Sequence, residues 1–364
     1  MSRLLCLVPK PAGLSPGQRF RLEQWAPVLA AKHDVALDFL PFESPALTRV
    51  LYERGHVPAK AAWVLWDFAR RAAAVVRARG YDAVVVYREA ALLGPAIWER
   101  ALRAFGVPLV FDFDDAIWLP QIGQNGVFSH LHFFGKTKTL CRIASGVSAG
   151  NGYLADFART VNAGATFVVP TTIDVADYPV LPESSRRDAL VVVWSGSTHT
   201  LVHFEAARVA LERFAQKHAL TIRVICNKPP QRPVAGAENQ FVEWKPGVEA
   251  AAIADAHVGV MPLPDDDFAR GKCGLKALQY MATGRPAIVS PVGMNADLVT
   301  HAQNGWIAGT DDAWVAALEE ARDAATRARL GTAARSTVEQ GYTREQGAAK
   351  FARVVRHALR TRED

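Results

Sequence analysis

The four cysteines, Cys6, Cys141, Cys226 and Cys273, include no Cys-x-x-Cys pair. Their scatter argues against a structural zinc or a disulfide framework and suits a reducing compartment. No apolar run reaches the ~20 residues needed to span a bilayer. The apolar stretch in the opening MSRLLCLVPKPAG is too short for a signal peptide and reads as a first strand. A cytoplasmic chain is expected, at most peripheral to the inner face of a membrane. No Gly-x-Gly-x-x-Gly follows any strand-like run, which argues against a dinucleotide-dependent dehydrogenase. Repeats and low-complexity tracts are absent. No motif supports a nucleic-acid partner.

What is present is an ordinary globular balance: 364 residues, 50% hydrophobic and 21% charged, enough for two domains. The charge is uneven. Residues 1–170 hold 19 Lys+Arg against 13 Asp+Glu, and residues 171–364 hold 23 against 23. A basic first half suits an anionic partner such as a phosphorylated lipid or a membrane surface; it also suits a merely soluble surface.

Short apolar runs alternate with helical patterns. The runs begin at Leu4, Val35, Ala83, Leu109, Gly146 and Thr166, then at Leu190, Thr221, Phe241, Val258, Ala287 and Gly305. Continuous apolar runs between helices read as buried parallel strands. The series breaks near 171–189, where PTTIDVADYPVLPESSRRD, from Pro170 to Asp188, carries a linker composition. The expectation is an α/β chain of two Rossmann-like, doubly wound domains facing a cleft: 1–170, then 171–340, with 341–364 a last amphipathic helix that returns to the first domain.

The stretch DDDFARGKCGLKALQYMATGRPAIVSP, Asp265 to Pro291, places basic residues at the start of a helix expected from Lys272 to Thr283. That end already carries partial positive charge. Lys272, Lys276, Gln279 and Thr283 form a polar stripe opposite Leu275, Leu278 and Ala282. Strand, glycine-containing loop, helix N-terminus and two lysines together describe a site for an anion, most simply a diphosphate. The alternative is that Asp265, Asp266 and Asp267 neutralise the basic residues themselves.

The run ALQYMATGRPAIVSPVG resembles the donor-binding segment of family 4 glycosyltransferases. YREAALLGP, LVFDFDDAIW, SAGNGYLADFA, VVPTTIDVADYP and VVVWSGSTHT agree with it in order and spacing, and the best match is to a bacterial subgroup with a DxDD-type segment. The resemblance implies the GT-B fold. It implies a retaining enzyme that takes a nucleoside diphosphate sugar on the second domain, a UDP-sugar first and GDP-mannose next. The acceptor is a hydroxyl compound on the first domain, such as a lipid-linked glycan, a polysaccharide precursor or a natural product. No metal and no further cofactor are expected. Arg270, Gly271, Lys272, Lys276 and Gln279 fall on the donor side, with Gly196, Ser197 and Thr198 of WSGSTHT. The family's pair of glutamates is absent: the second position is Gln279, suited to a ribose hydroxyl, and the first is Gly271, for which Asp266 or Asp267 could substitute.

In FDFDDAIW, Asp112 is placed on the acceptor side, while Asp114 and Asp115, with Lys272, are the catalytic candidates. Crowded carboxylates raise one another's pKa, and one of them could orient an acceptor hydroxyl or take its proton. Gly17, Arg19 and Arg21 of GLSPGQRFRLEQW, Arg88, and His130 complete the acceptor side. Two segments mix aromatic and basic residues as an interface does. AAWVLWDFARRAAAVV, from Ala61, is expected to be an ordinary amphipathic core helix; NGVFSHLHFFGKTKT, from Asn125, stays open. Two other readings compete with transfer: a sugar-nucleotide epimerase or hydrolase, and a non-catalytic partner that binds nucleotide sugar or glycan.

Overall fold

A computed structural model describes residues 1–51, 53–120, 133–182, 188–245 and 247–360. His130 and most of the aromatic segment from Asn125 lie outside the described residues. The chain divides into two units, Met1–Thr171 with Arg344–Asp364, and Thr172–Thr343.

The first unit is built on β1 (Ser2–Val8), β2 (Val35–Pro41), β3 (Ala83–Tyr87), β4 (Leu109–Phe113), β5 (Gly146–Ala149) and β6 (Thr166–Val168), in the order β2-β1-β3-β4-β5-β6. All neighbours are parallel. Strand β3 reads AVVVY because both its faces are covered; every one of its residues is buried. The helix Arg344–Arg360 belongs to this unit and buries Phe351, Val354, Val355 and Ala358. Its Phe351 ring meets Trp25 of the helix Gln24–His33 at 5.5 Å.

The second unit carries β7 (Leu190–Ser195), β8 (Leu220–Cys226), β9 (Glu238–Glu243), β10 (Val258–Met261), β11 (Ala287–Val289) and β12 (Gly305–Ile307), in the order β12-β11-β10-β7-β8-β9. It too is wholly parallel. Trp194, Phe204, Phe214, Trp306 and Trp314 fill its core. The order reverses between β1 and β3 in the first sheet and between β7 and β10 in the second. Open α/β sheets bind ligands beyond the carboxyl ends of the strands at such reversals.

Two helices differ from expectation. The helix expected from Lys272 begins instead at Leu275 and runs to Ala282, and the loop before it holds a separate helical turn, Asp267–Arg270. The cause is Gly274, whose φ of +68° is left-handed and ends helical continuity. The segment from Ala61 lies in the helix Val57–Arg77 but is not an ordinary core helix: Leu65 is 69% and Trp66 56% exposed, while Asp67 and Arg71 are buried.

Candidate functional site

In the second unit, β7 ends on Ser195 beside the chain reversal. Its N–H donates to the Tyr280 hydroxyl at 2.9 Å, which ties the strand end to the helix Leu275–Ala282. Its hydroxyl donates to Glu249 Oε1. Glu249 stands in the first turn of the helix Val248–Ala254, where the helix dipole favours an acid. The other carboxylate oxygen accepts from Gln279 Nε2 at 2.9 Å, and the same nitrogen reaches the Tyr178 hydroxyl at 2.9 Å. The Gln279 amide therefore spends its donors inside the protein. At 3% exposure it positions Glu249 and does not present its own donors to a ligand. Glu249 itself is only partly buried.

Lys276 lies beside this group. Its ammonium sits 4.6 Å from the centroid of the Trp194 ring and donates to Thr200 Oγ1 at 3.3 Å. Burial first, then the positive charge of Lys272, lowers the Lys276 pKa to about 7. The Lys272 ammonium lies 4.1 Å from the Phe268 ring centroid. The expected polar stripe is not a solvent face, because Gln279 and Thr283 are both buried.

Other donor-side expectations are corrected. Arg270 is neutralised locally by Asp265 at 2.8 Å and Asp267 at 3.3 Å, while Asp266 caps the short helix by accepting from Ala269 N at 2.7 Å. These aspartates are thus engaged within the loop itself. The Gly271 N–H closes a turn on Phe268 O. In WSGSTHT the amides are committed: Gly196 N to Ile225 O at 2.9 Å, Ser197 N to Thr200 Oγ1 at 3.0 Å, and Thr198 N to Asn227 Oδ1 at 2.9 Å. The Thr198 hydroxyl also donates to Asn227. Ser197 remains exposed on the loop.

A second cluster occupies the reversal of the first sheet. Asp114 Oδ1 accepts from the Tyr87 hydroxyl at 2.8 Å and from Arg88 Nε at 2.8 Å. Asp115 lies 3.7 Å from the same guanidinium. A Cβ on Gly17 would stand 2.2 Å from Asp114 Oδ2 and from the Tyr87 hydroxyl, so this close approach requires glycine. Arg88 has a φ of +59°, rare for a bulky side chain. Strain of this kind persists where the surroundings fix it and gathers at functional sites.

Crowding does not raise the Asp114 pKa. Burial pushes it up, but Arg88, Arg21 and the hydrogen bonds from Tyr87 and Arg88 outweigh burial and hold it below the usual carboxylate value. Arg21 and Asp112 are not acceptor-facing. Both are fully buried and joined by two hydrogen bonds of 2.8 and 2.7 Å. The remaining donors of Arg21 reach Val169 O and Ser148 Oγ. This is a core ion pair that ties the start of the first helical segment to β4 and β5. Arg19 lies over the Phe20 ring at 4.5 Å. Among the described residues, no group of three or more His, Cys, Asp or Glu could hold a metal ion.

Sequence reading missed Glu249, Tyr178, Tyr87 and Ser195. Tyr87 and Ser195 sit at strand ends already marked as ligand-side. Glu249 had one signal, an acid opening the helix after the edge strand.

Residues 189–323 match the family model described as glycosyl transferases group 1. No curated protein matches the chain in sequence. Solved structures do. Sucrose-phosphate synthase from Thermosynechococcus elongatus superposes with a TM-score of 0.71 at 18% identity, covering 99% of both chains. Anabaena HepE in complex with UDP and glucose gives 0.65 at 14%, covering 98% of this chain and 100% of that one. The lipopolysaccharide outer core galactosyltransferase WaaB gives 0.64 at 12%, covering 97% and 99%. Identities this low speak to fold. The chain therefore takes the GT-B fold, with a group 1 glycosyl transferase match over most of its second unit.

Proposed function

We propose that the protein transfers a sugar from a nucleoside diphosphate sugar, a UDP-sugar by preference, to a hydroxyl acceptor with retention and without a metal. The observation that carries this reading is the group Ser195, Glu249, Gln279 and Lys276 at the reversal of the second sheet, within the segment that matches a glycosyl transferase. Similarity to HepE, solved with UDP-glucose, adds support for the base and the diphosphate.

Each part has a chemical task. Glu249 is an acceptor held from behind by two donors, which suits the paired hydroxyls of a ribose. It supplies the carboxylate that position 279 lacks. Lys276 and Lys272 bring positive charge close together, and a diphosphate relieves their repulsion. As the sugar leaves, charge grows on that diphosphate, and fixed ammonium groups stabilise it where it develops. On the first unit, Asp114 is ionised at neutral pH and held by Tyr87 and Arg88. A carboxylate of lowered pKa is a weak base, so its role is to orient an acceptor hydroxyl.

The test is turnover of UDP-glucose and other sugar nucleotides with an acceptor panel in EDTA, read by release of UDP and by the anomeric proton signal of the product. Transfer with the donor's own anomeric configuration is expected. Glu249→Ala should weaken UDP-sugar binding about tenfold or more while leaving inhibition by inorganic pyrophosphate nearly unchanged. Strict dependence on a divalent metal, an inverted product, or donor turnover with no acceptor in any condition would each contradict the reading.

A further inference from the structure

The helix Val57–Arg77 buries two charged residues, Asp67 and Arg71, beside Ala74 and Val75, and turns an apolar face outward. The inward polarity has a structural reason. Arg71 donates to Leu40 O and Val8 O at 3.2 and 3.3 Å, at the ends of β2 and β1, and Asp67 accepts from Ser44 N at 2.9 Å just before the helix Pro45–Leu51. Burial lowers the Arg71 pKa to about 9, a measure of how far that guanidinium is withdrawn from water.

The outward face has no such reason. At 100° per residue, Ala62, Leu65, Trp66, Ala69, Ala73 and Val76 fall on one side. All six are exposed, Leu65 at 69%, Trp66 at 56% and Val76 at 58%. Folding alone leaves this surface in water at a cost proportional to its area. A contiguous apolar strip of this kind marks an interaction surface.

Charge around the strip selects the partner. Asp67 is the one acid between residues 57 and 81, and it is buried. Arg77 and Arg79 are exposed at the end of the helix, and Arg79 lies over the Phe105 ring at 3.9 Å. The adjoining helix Ile97–Ala104, joined through the Phe68 and Trp98 rings at 6.2 Å, exposes Arg100 and Arg103. The whole first unit holds 25 Lys+Arg against 16 Asp+Glu, whereas the second holds 17 against 20. A second copy of the chain would set this basic rim against itself, because a twofold interface pairs a patch with its own image.

We infer that the outward face of the helix Val57–Arg77 docks on an anionic lipid bilayer, with Leu65 and Trp66 in the headgroup boundary and the arginines on lipid phosphates. Tryptophan favours that boundary. The inference stands on the first unit alone and does not depend on the sugar-transfer reading.

The test is co-sedimentation of the full chain with vesicles of phosphatidylcholine, alone or with phosphatidylglycerol. Binding to the anionic vesicles is expected to exceed binding to the neutral ones about tenfold at low salt and to fade as salt rises. The pair Leu65→Ser and Trp66→Ser should abolish it, with an unchanged circular dichroism spectrum. The pair Arg100→Gln and Arg103→Gln, which leaves the apolar strip intact, should weaken it severalfold. The inference is overturned by no binding to either vesicle, or by anionic binding that all four substitutions leave untouched. It is equally overturned by a concentration-dependent dimer that Trp66→Ser dissolves, which would assign the face to a second copy.

Discussion

Lys276 shows how one residue's environment defines its chemistry. An ordinary lysine value is 10.5, and here it is about 7. Between those values the unfolded chain holds a proton that the folded chain lacks. Lys276 therefore makes the unliganded protein more stable as pH rises through this window. A bound diphosphate acts in the opposite sense, because it favours the charged ammonium. Binding at pH 8 should take up about one proton, and affinity should fall as pH moves from 7 to 9. Calorimetry in buffers of different ionisation enthalpy reads the uptake directly, and Lys276→Met should remove it. The sequence made both lysines visible as phosphate candidates. It placed Asp112 on the acceptor side next to the catalytic candidate Asp114, since the two share one strand end and one residue type. Only packing shows that Asp112 is spent on Arg21 while Asp114 stands by Gly17.

At the scale of elements, the loop between β10 and the helix Leu275–Ala282 sets where the lysines point. The expected polar stripe of that helix is covered, because the helix is buried from Ala277 to Ala282 and Thr283 is buried after it. Periodicity detects alternation of residue type and is silent on what covers the polar side. Tyr178, far away in sequence, covers it. Gly274 fixes the start of the helix. Any Cβ there would lie 2.4 Å from Leu298 Cδ1 on a backbone with φ +68°. Gly274→Ala should cost about 1–3 kcal/mol in chemical denaturation. It should also weaken UDP binding beyond that loss, because Lys272 and Lys276 flank the position. A stability loss with unaltered UDP affinity would mean that the loop does not set the lysines.

For the whole molecule, the runs that mark strands in the sequence are the twelve strands found among the described residues, because buried parallel strands need continuous β-branched and apolar residues that few other elements show. The edge strand β9 is the weakest of them: it begins at Glu238 and is largely exposed, so its apolar signal covers only Phe241 and Val242. The strand order, and with it the position of both reversals, was beyond the sequence. It is this order that brings Ser195, Glu249 and Lys276 to one place in the second unit, and Gly17, Tyr87, Arg88 and Asp114 to one place in the first.

The central claim is that the second unit holds a nucleoside diphosphate through Glu249 and the two lysines. The most direct test is calorimetric titration of the full chain with UDP, GDP and dTDP in EDTA, beside the Lys276→Met and Glu249→Ala variants. The account predicts selective, metal-free binding of UDP, weakened by at least about tenfold in each variant. Absence of binding by all three nucleotides, or UDP binding that neither variant changes, would contradict it.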